Sequence, residues 1–397
     1  MPNEATLKIE PLRQGGGTVR QIHAMAYSQG IADVLSDLVA NCNNPSVLRR
    51  MCKWVFGQLK LTSRQRARYI AALRDTKVVN FLDTIRSLHC PYDGVGVVGA
   101  ERDLLVGDAA YLISAQAEIE KKFGKDLMKK RGYFVDCKTV LKKLFNYESF
   151  CKGSQLLYVK GGGGEFRWSG KLAGVLEGWG AWEFVHRLNV RYCPYCNAET
   201  VYAVKFDTKS VKDPDREVLI RSALDHFFPH SECPYFGISL YNLVPTCYRC
   251  NSQIKGSRKP EAETFAHPYL HDVYDGFRFR LTKLKDPRRF ALADTEDDFE
   301  IEVTSTKKAE APKVRALMCD LFRIPDVYAQ LFKPEAFDIA RRIRLFTPAY
   351  KTLLRKRKLC GITLNRALFG CELDSKRITQ YRHAKLTIDL NRQFRAS

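Results

Sequence analysis

Two Cys-x-x-Cys pairs carry the plainest chemistry in this chain: Cys193 and Cys196 in "CPYC", Cys247 and Cys250 in "CYRC". One pair alone would mean little. Two pairs with 50 residues between them offer four thiolates, each pair presented by a tight knuckle, and four sulfurs close a tetrahedral shell around zinc. A closed shell leaves no place for substrate, so the expected zinc is structural and ties two distant segments together. A redox dithiol is the competing reading. It needs a single pair at a helix start inside a βαβ unit, and that pattern is missing. Cys233 lies between the pairs without a partner at knuckle spacing and is expected to be a small buried residue or a loop thiol.

Between the knuckles stands "ALDHFFPH", an acid beside an imidazole at Asp225 and His226. The stretch otherwise looks like a strand entering a core, where a charge is costly unless something uses it. Downstream, "SLYNLVPTCYRCNSQIKG" adds Asn242, expected at a strand end, and Asn251, expected at a helix start. An imidazole is a good base for water, given an acceptor that fixes its tautomer. A hard divalent cation prefers oxygen ligands such as a carboxylate and an amide carbonyl.

The signature "CPYC … LDHFFP … SLYNLVPTCYRCNSQIKG", roughly residues 190–260, resembles the HNH endonucleases. Their ββα-metal core is often braced by a four-cysteine zinc. The resemblance covers about a fifth of the chain. It implies a metal-dependent endonuclease that hydrolyses phosphodiester bonds in DNA. It assigns His226 as general base, Asn242 as the residue that orients its ring, and Asp225 and Asn251 as catalytic-metal ligands. Many relatives carry His where this chain has Asn251, and the amide favours Mg²⁺ or Mn²⁺ over a softer ion. "AHPYLHD" (266–272) and the strands after it are similar, more distantly, to bacterial HNH proteins of phage defence. That likeness implies an antiviral setting and an ATPase or other defence-system subunit as partner. An RNase on the same core and a zinc-braced nucleic-acid-binding protein without cleavage are the alternatives.

The elements that must position these residues read as an α+β chain of three segments. Residues 1–185 are mostly helical, a regulatory or partner-binding region, with a loose lead-in through residue 30 and an N-cap expected at Ser63. Residues 186–275 form the zinc-braced core. Residues 276–397 begin with alternating runs, "GFRFRLTKL" and "DFEIEVTS", expected to pair as a hairpin. A basic helical region follows. "GGGG" at 161–164 precedes no Gly-Lys-Ser/Thr and is read as a loop, hairpin tip or linker.

The totals agree with a polyanionic partner. The 397 residues hold 65 Lys and Arg against 44 Asp and Glu, a net +21. Residues 341–397 alone hold 15 basic residues and 3 acids. Lys255 and Arg258 just past Asn251, and Arg355, Lys356, Arg357 and Lys358 in the tail, are the expected backbone contacts to DNA. Arg64, Arg66 and Arg68 form a lesser cluster. His230 is expected at the surface, or as a supporting contact to DNA. His267 is expected to be structural or exposed. No recognition helix is recognisable, so little sequence preference is expected. No apolar run approaches bilayer length, and the first residues lack a signal peptide's apolar core. The 13 cysteines are odd in number and mostly scattered. Reduced thiols, a cytoplasmic location and no membrane partner are therefore expected.

Overall fold

The computed structural model describes residues 19–55, 61–90, 102–129, 132–152, 157–160, 166–169, 179–207, 217–261, 263–282, 299–356 and 363–395. Within them the chain is α+β. Helices dominate, and strands come only as two-stranded antiparallel ribbons. These pair Leu157–Lys160 with Phe166–Ser169, Ala203–Asp207 with Glu217–Arg221, Ala223–His226 with Leu243–Thr246, and Phe277–Thr282 with Glu300–Ser305. The hairpin expected after residue 276 is the last of these. Residues 161–164 lie outside the described residues, between the first two strands. No helix among the described residues is long and apolar enough to cross a membrane.

The N-terminal lead-in differs from expectation. A helix runs Val19–Ala40 and buries Ile22, His23, Ala26, Ile31, Val34, Leu35 and Leu38. Its buried residues lie nearly all round the helix. The one-sided stripe that a sequence reader looks for is therefore absent. The next prominent helix is Ser63–Arg74, and its N-cap is Thr62 rather than Ser63. Thr62 Oγ1 accepts from Gln65 N (3.2 Å), and Gln65 Oε1 accepts from Thr62 N (2.9 Å). This reciprocal capping box satisfies two amides that would otherwise be orphaned. Asp75 ends that helix and caps the following one, Thr76–Leu88, through Lys77 N and Val78 N.

One body of buried apolar side chains extends from Val19 to Phe394, and hydrogen bonds stitch both flanks to the middle. On the N-terminal side, three consecutive residues between the site strands are held from outside. Ile238 O accepts from His23 Nε2 (2.8 Å), Ser239 Oγ donates to Leu104 O (2.5 Å), and Leu240 N donates to Leu105 O (2.8 Å). The 103–105 turn is itself fixed by buried Asp103. Burial opposes charge there, but His89, Ser28 and the Leu105 N–H hold its carboxyl below the usual range.

On the C-terminal side, Asn197 sits in the left-handed region (φ 53°) at the end of the first cysteine knuckle. Its side-chain amide donates to Ile378 O (2.8 Å) and Tyr381 O (3.1 Å) and accepts from Lys385 N (3.1 Å). Tyr328 Oη donates to Cys196 O (2.7 Å). Asp389, on helix Ala384–Arg395, accepts from Phe279 N in the hairpin (2.9 Å). The core expected at 186–275 is thus gripped from both sides.

His23 makes this grip sensitive to acid. Its Nε2 faces a carbonyl, so it carries the proton, and Nδ1 accepts from Trp179 Nε1 (3.2 Å). A second proton at Nδ1 would confront the indole N–H. Burial is the main reason its pKa falls from 6.5 to about 4, against the opposing effects of the Ile238 carbonyl and Asp103. Between those values the unfolded chain binds the proton and the folded chain does not. His23 therefore costs stability as pH falls through that window, by about 1.4 kcal/mol per pH unit. We expect His23→Gln to flatten the fall in melting temperature between pH 6.5 and 4.5, measured by differential scanning fluorimetry. An unchanged slope would remove His23 from this role.

Candidate active site and metal centre

The four expected cysteines converge. Cys193, Cys196, Cys247 and Cys250 are all buried, and their sulfurs lie within 4.8 Å of one another. A tetrahedral zinc with Zn–S bonds of about 2.3 Å spaces its sulfurs about 3.8 Å apart. Cys196 Sγ and Cys247 Sγ are separated by 3.9 Å. The donor set therefore fits a metal such as zinc.

Local sequence explains the two knuckles. In the first, Asn197 N donates to Cys193 O (2.8 Å), and Cys193 N pairs with Glu199 O (2.9 Å). In the second, Cys250 N points at Cys247 Sγ (3.4 Å), and Asn251 N donates to Cys247 O (3.0 Å). Burial works against a thiolate at Cys193, yet hydrogen bonds from Cys196, Cys247 and Cys250 draw its pKa well below the thiol range. Cys196 and Cys250 are pushed well above it, chiefly by hydrogen bonding to the neighbouring sulfurs, Cys193 first. The other described cysteines are also free thiols, and Cys233 is buried as expected.

The second knuckle launches a short helix, Arg249–Lys255, which closes with Gly256 N on Asn251 O (2.9 Å). Gly256 takes φ 54°, where a side chain would be strained. Asn251 is therefore helical, near the helix start, and half-exposed. Strand, connecting loop, strand and helix follow in order, with Asp225 opposite Val244 and His226 opposite Leu243.

Asp225 and His226 are neighbours on a strand, so they leave on opposite faces. Their partners differ accordingly. Asp225 is buried, and both of its oxygens are engaged. Tyr195 Oη donates to Oδ2 (2.9 Å), and Lys255 Nζ lies 2.6 Å from Oδ1. Lys255 also donates to His226 O (2.6 Å). Lys255 was expected to contact phosphate. It is 2% exposed and forms a buried ion pair instead. The helix is so short that its last residue turns back under the strand.

The His226 ring meets a different set. Nε2 lies 2.9 Å from Gly237 O, and no described residue hydrogen-bonds Nδ1. Tyr147 packs edge-on against the ring (4.4 Å, 74°), and His230 stacks beside it (5.3 Å, 18°). Burial first, then the charges of Lys255 and Arg221, lower the His226 pKa to about 4 despite the Gly237 carbonyl. The ring is thus neutral near pH 7, with its proton on Nε2 and its lone pair on Nδ1.

Asn242 was expected to orient that ring, and it does something else. Its Oδ1 accepts from Phe228 N (2.7 Å), and its Nδ2 donates to Phe228 O (3.1 Å) and Phe236 O (3.0 Å). It ends a tight turn, Leu240–Asn242, ahead of the second strand. The amide pins the loop, and the loop's Gly237 carbonyl meets the imidazole. Gly237 has to be glycine. A Cβ there would lie 2.9 Å from His230 Cδ2 and 3.0 Å from both His230 Nε2 and Phe145 O.

The remaining expectations fare differently. His230 is not a simple surface residue: it is half-buried, and its Nε2 is buried without a partner. His267 is buried and structural. Phe227 and Phe228 lie just past the strand end, and both are fully buried. Arg258 is exposed, yet its guanidinium reaches backbone carbonyls of Ile254 and Leu321, the latter at 2.7 Å. Arg355 and Lys356 end helix Pro348–Lys356, while Arg357 and Lys358 lie outside the described residues.

Sequence reasoning missed Tyr195, Gly237 and Tyr147. Tyr195 had a signal, since it sits inside "CPYC" and is carried wherever the knuckle goes. Gly237 and Tyr147 had none, because their roles arise from contacts across the fold.

No family model matches the chain, and neither does any curated protein or solved structure.

Two measurements check the geometry. Cys247→Ser should lower bound zinc from about one equivalent to a small fraction, read by mass spectrometry of the metal, and lower the melting temperature. Unchanged zinc would refute the four-sulfur site. Lys255→Met should destabilise the fold by about 3–5 kcal/mol in urea titration, because it leaves the Asp225 carboxylate buried beside a single phenol. A loss near zero would mean that the pair is not buried in solution.

Proposed function

We propose that this chain is a metal-dependent endonuclease of the HNH type, hydrolysing phosphodiester bonds in DNA. The observation that carries the reading is the His226 imidazole. It is neutral, its Nε2 proton is committed to Gly237 O at 2.9 Å, and its Nδ1 lone pair has no partner among the described residues. A ring held in that tautomer accepts a proton from water at Nδ1, as a general base does. The strand–strand–helix order around it, closed by four cysteines, agrees with the resemblance in sequence.

Asp225 and Asn251 supply the oxygen donors that a hard cation prefers. When bound, such a cation stabilises charge on the phosphate and on the leaving oxygen. In this arrangement Asp225 would have to exchange the Lys255 ammonium on Oδ1 for the cation. Arg221, whose charge acts on His226, keeps the local potential positive for a phosphate. The defence setting, an ATPase partner and a cytoplasmic location rest on the sequence alone.

A second reading is a nucleic-acid-binding protein without cleavage. One observation favours it: both Asp225 oxygens are already engaged, by Tyr195 and Lys255.

Plasmid DNA and structured RNA, each with and without Mg²⁺, separate these readings. We expect Mg²⁺-dependent DNA cleavage, slowed about 10²–10⁴-fold by His226→Ala with zinc content and melting unchanged. Equal cutting by the variant would sink the role of His226. Binding without cutting would favour the second reading, and preferential cutting of RNA would make the protein an RNase.

A further inference from the structure

Beside the first cysteine knuckle, on the side of the C-terminal helices, lies a pocket of about 540 Å³. Arg191, Tyr192, Tyr202, Arg366 and Tyr381 help to line it. Its volume falls within the usual range for small ligands. Arg191 and Arg366 are exposed, as is Arg377 on its border.

The charges here are unbalanced. Arg366 and Arg377 both approach one ring, that of Tyr381, at 5.8 and 5.9 Å from its centroid. Neither guanidinium, nor that of Arg191, has an acidic or carbonyl partner among the described residues. The nearby acids in sequence are engaged elsewhere: Glu372 accepts from Thr363 Oγ1 (2.6 Å), and Asp374 caps Lys376 N (2.9 Å). Structural arginines elsewhere in this chain do find acceptors, as Arg187 does with Glu183 (2.5 Å). Like charges gathered round one ring repel, and an anion placed among them relieves that repulsion.

The walls are aromatic as well as basic. Tyr202 is 44% exposed and offers a ring face to solvent. Its backbone is tied on both sides to Ser222, since Ser222 N donates to Tyr202 O (2.9 Å) and Ser222 Oγ accepts from Tyr202 N (3.0 Å). The backbone of Tyr202 is therefore anchored beside Ser222, three residues before Asp225. An exposed tyrosine, two half-buried ones and unpaired arginines suit a nucleotide, with its base stacked and its phosphate paired.

We propose that this pocket binds one nucleotide unit, its phosphate on Arg191, Arg366 and Arg377 and its base against Tyr202 or Tyr381. The proposal stands apart from cleavage: binding here can be present in a protein that cuts nothing, and absent from one that cuts.

The test uses the full zinc-loaded chain in a His226→Ala background, so that nucleic acid survives. Two probes distinguish the sources of a nucleotide. One is a fluorescein-labelled single strand of about twelve thymidines, read by anisotropy. The other is adenosine 5′-monophosphate, read by calorimetry. We expect at least one probe to bind, with Arg366→Glu weakening it about tenfold or more and Tyr202→Ala about fivefold or more. Lys77→Glu, on the helix Thr76–Leu88, which contributes no residue to the pocket lining, should leave binding unchanged. Binding of the strand alone assigns the pocket to nucleic acid, and binding of the mononucleotide assigns it to a free nucleotide. Either result supports the proposal if Arg366→Glu weakens it. Binding that Arg366→Glu leaves intact would overturn it, as would no binding of either probe below about 1 mM. Equal zinc content in every variant excludes unfolding as the cause.

Discussion

Four buried sulfurs gathered within 4.8 Å are the constraint from which the middle of this protein follows. Thiols do not collect in a core by hydrophobic packing alone. They compete for one negative charge, as the opposed shifts of Cys193 and its neighbours show. A tetrahedral cation such as zinc would remove that competition and fix both knuckles together. Each knuckle then delivers one residue to Asp225. The first carries Tyr195 inside its turn, and the second starts the helix whose last residue is Lys255. Cysteine cluster and carboxylate are thus one mechanical unit.

The imidazole depends on the other half of the molecule. Gly237, whose carbonyl takes the Nε2 proton, precedes three residues anchored by His23 and by the 103–105 turn. Tyr147, from the same N-terminal helical region, closes over the ring. Residues 1–185 were expected to restrain or dock. The described part of them also builds the wall of the site. The C-terminal segment does the corresponding work for the first knuckle through Asn197 and Tyr328. The two site residues lean on opposite flanks of the chain and meet only at adjacent positions of one strand.

What the sequence made legible was local. Cysteine spacing located the four-sulfur cluster because a knuckle is a property of four consecutive residues. Alternation located the hairpin Phe277–Thr282 with Glu300–Ser305, whose first strand turns Phe277, Phe279 and Leu281 into the core. Contacts that fold over long distances were not legible. Lys255 looked like a contact to phosphate, because nothing in "NSQIKG" says that its helix ends beneath the strand. Asn242 looked like a partner for the ring, but its amide had nearer backbone groups to satisfy at Phe228 and Phe236. The helix from Val19 was hidden because burial on most sides erases the stripe.

Gly237 carries a consequence of its own. The atom that sets the imidazole tautomer is a main-chain oxygen, on a residue that has no side chain and no room for one. Substitution therefore cannot tune the ring by swapping its acceptor, as a side-chain carboxylate would allow. Adjustment of basicity at this ring is left to what surrounds it, the aromatic wall at Tyr147 and His230 and the charges of Lys255 and Arg221, which makes those positions the natural dials for directed evolution of this protein.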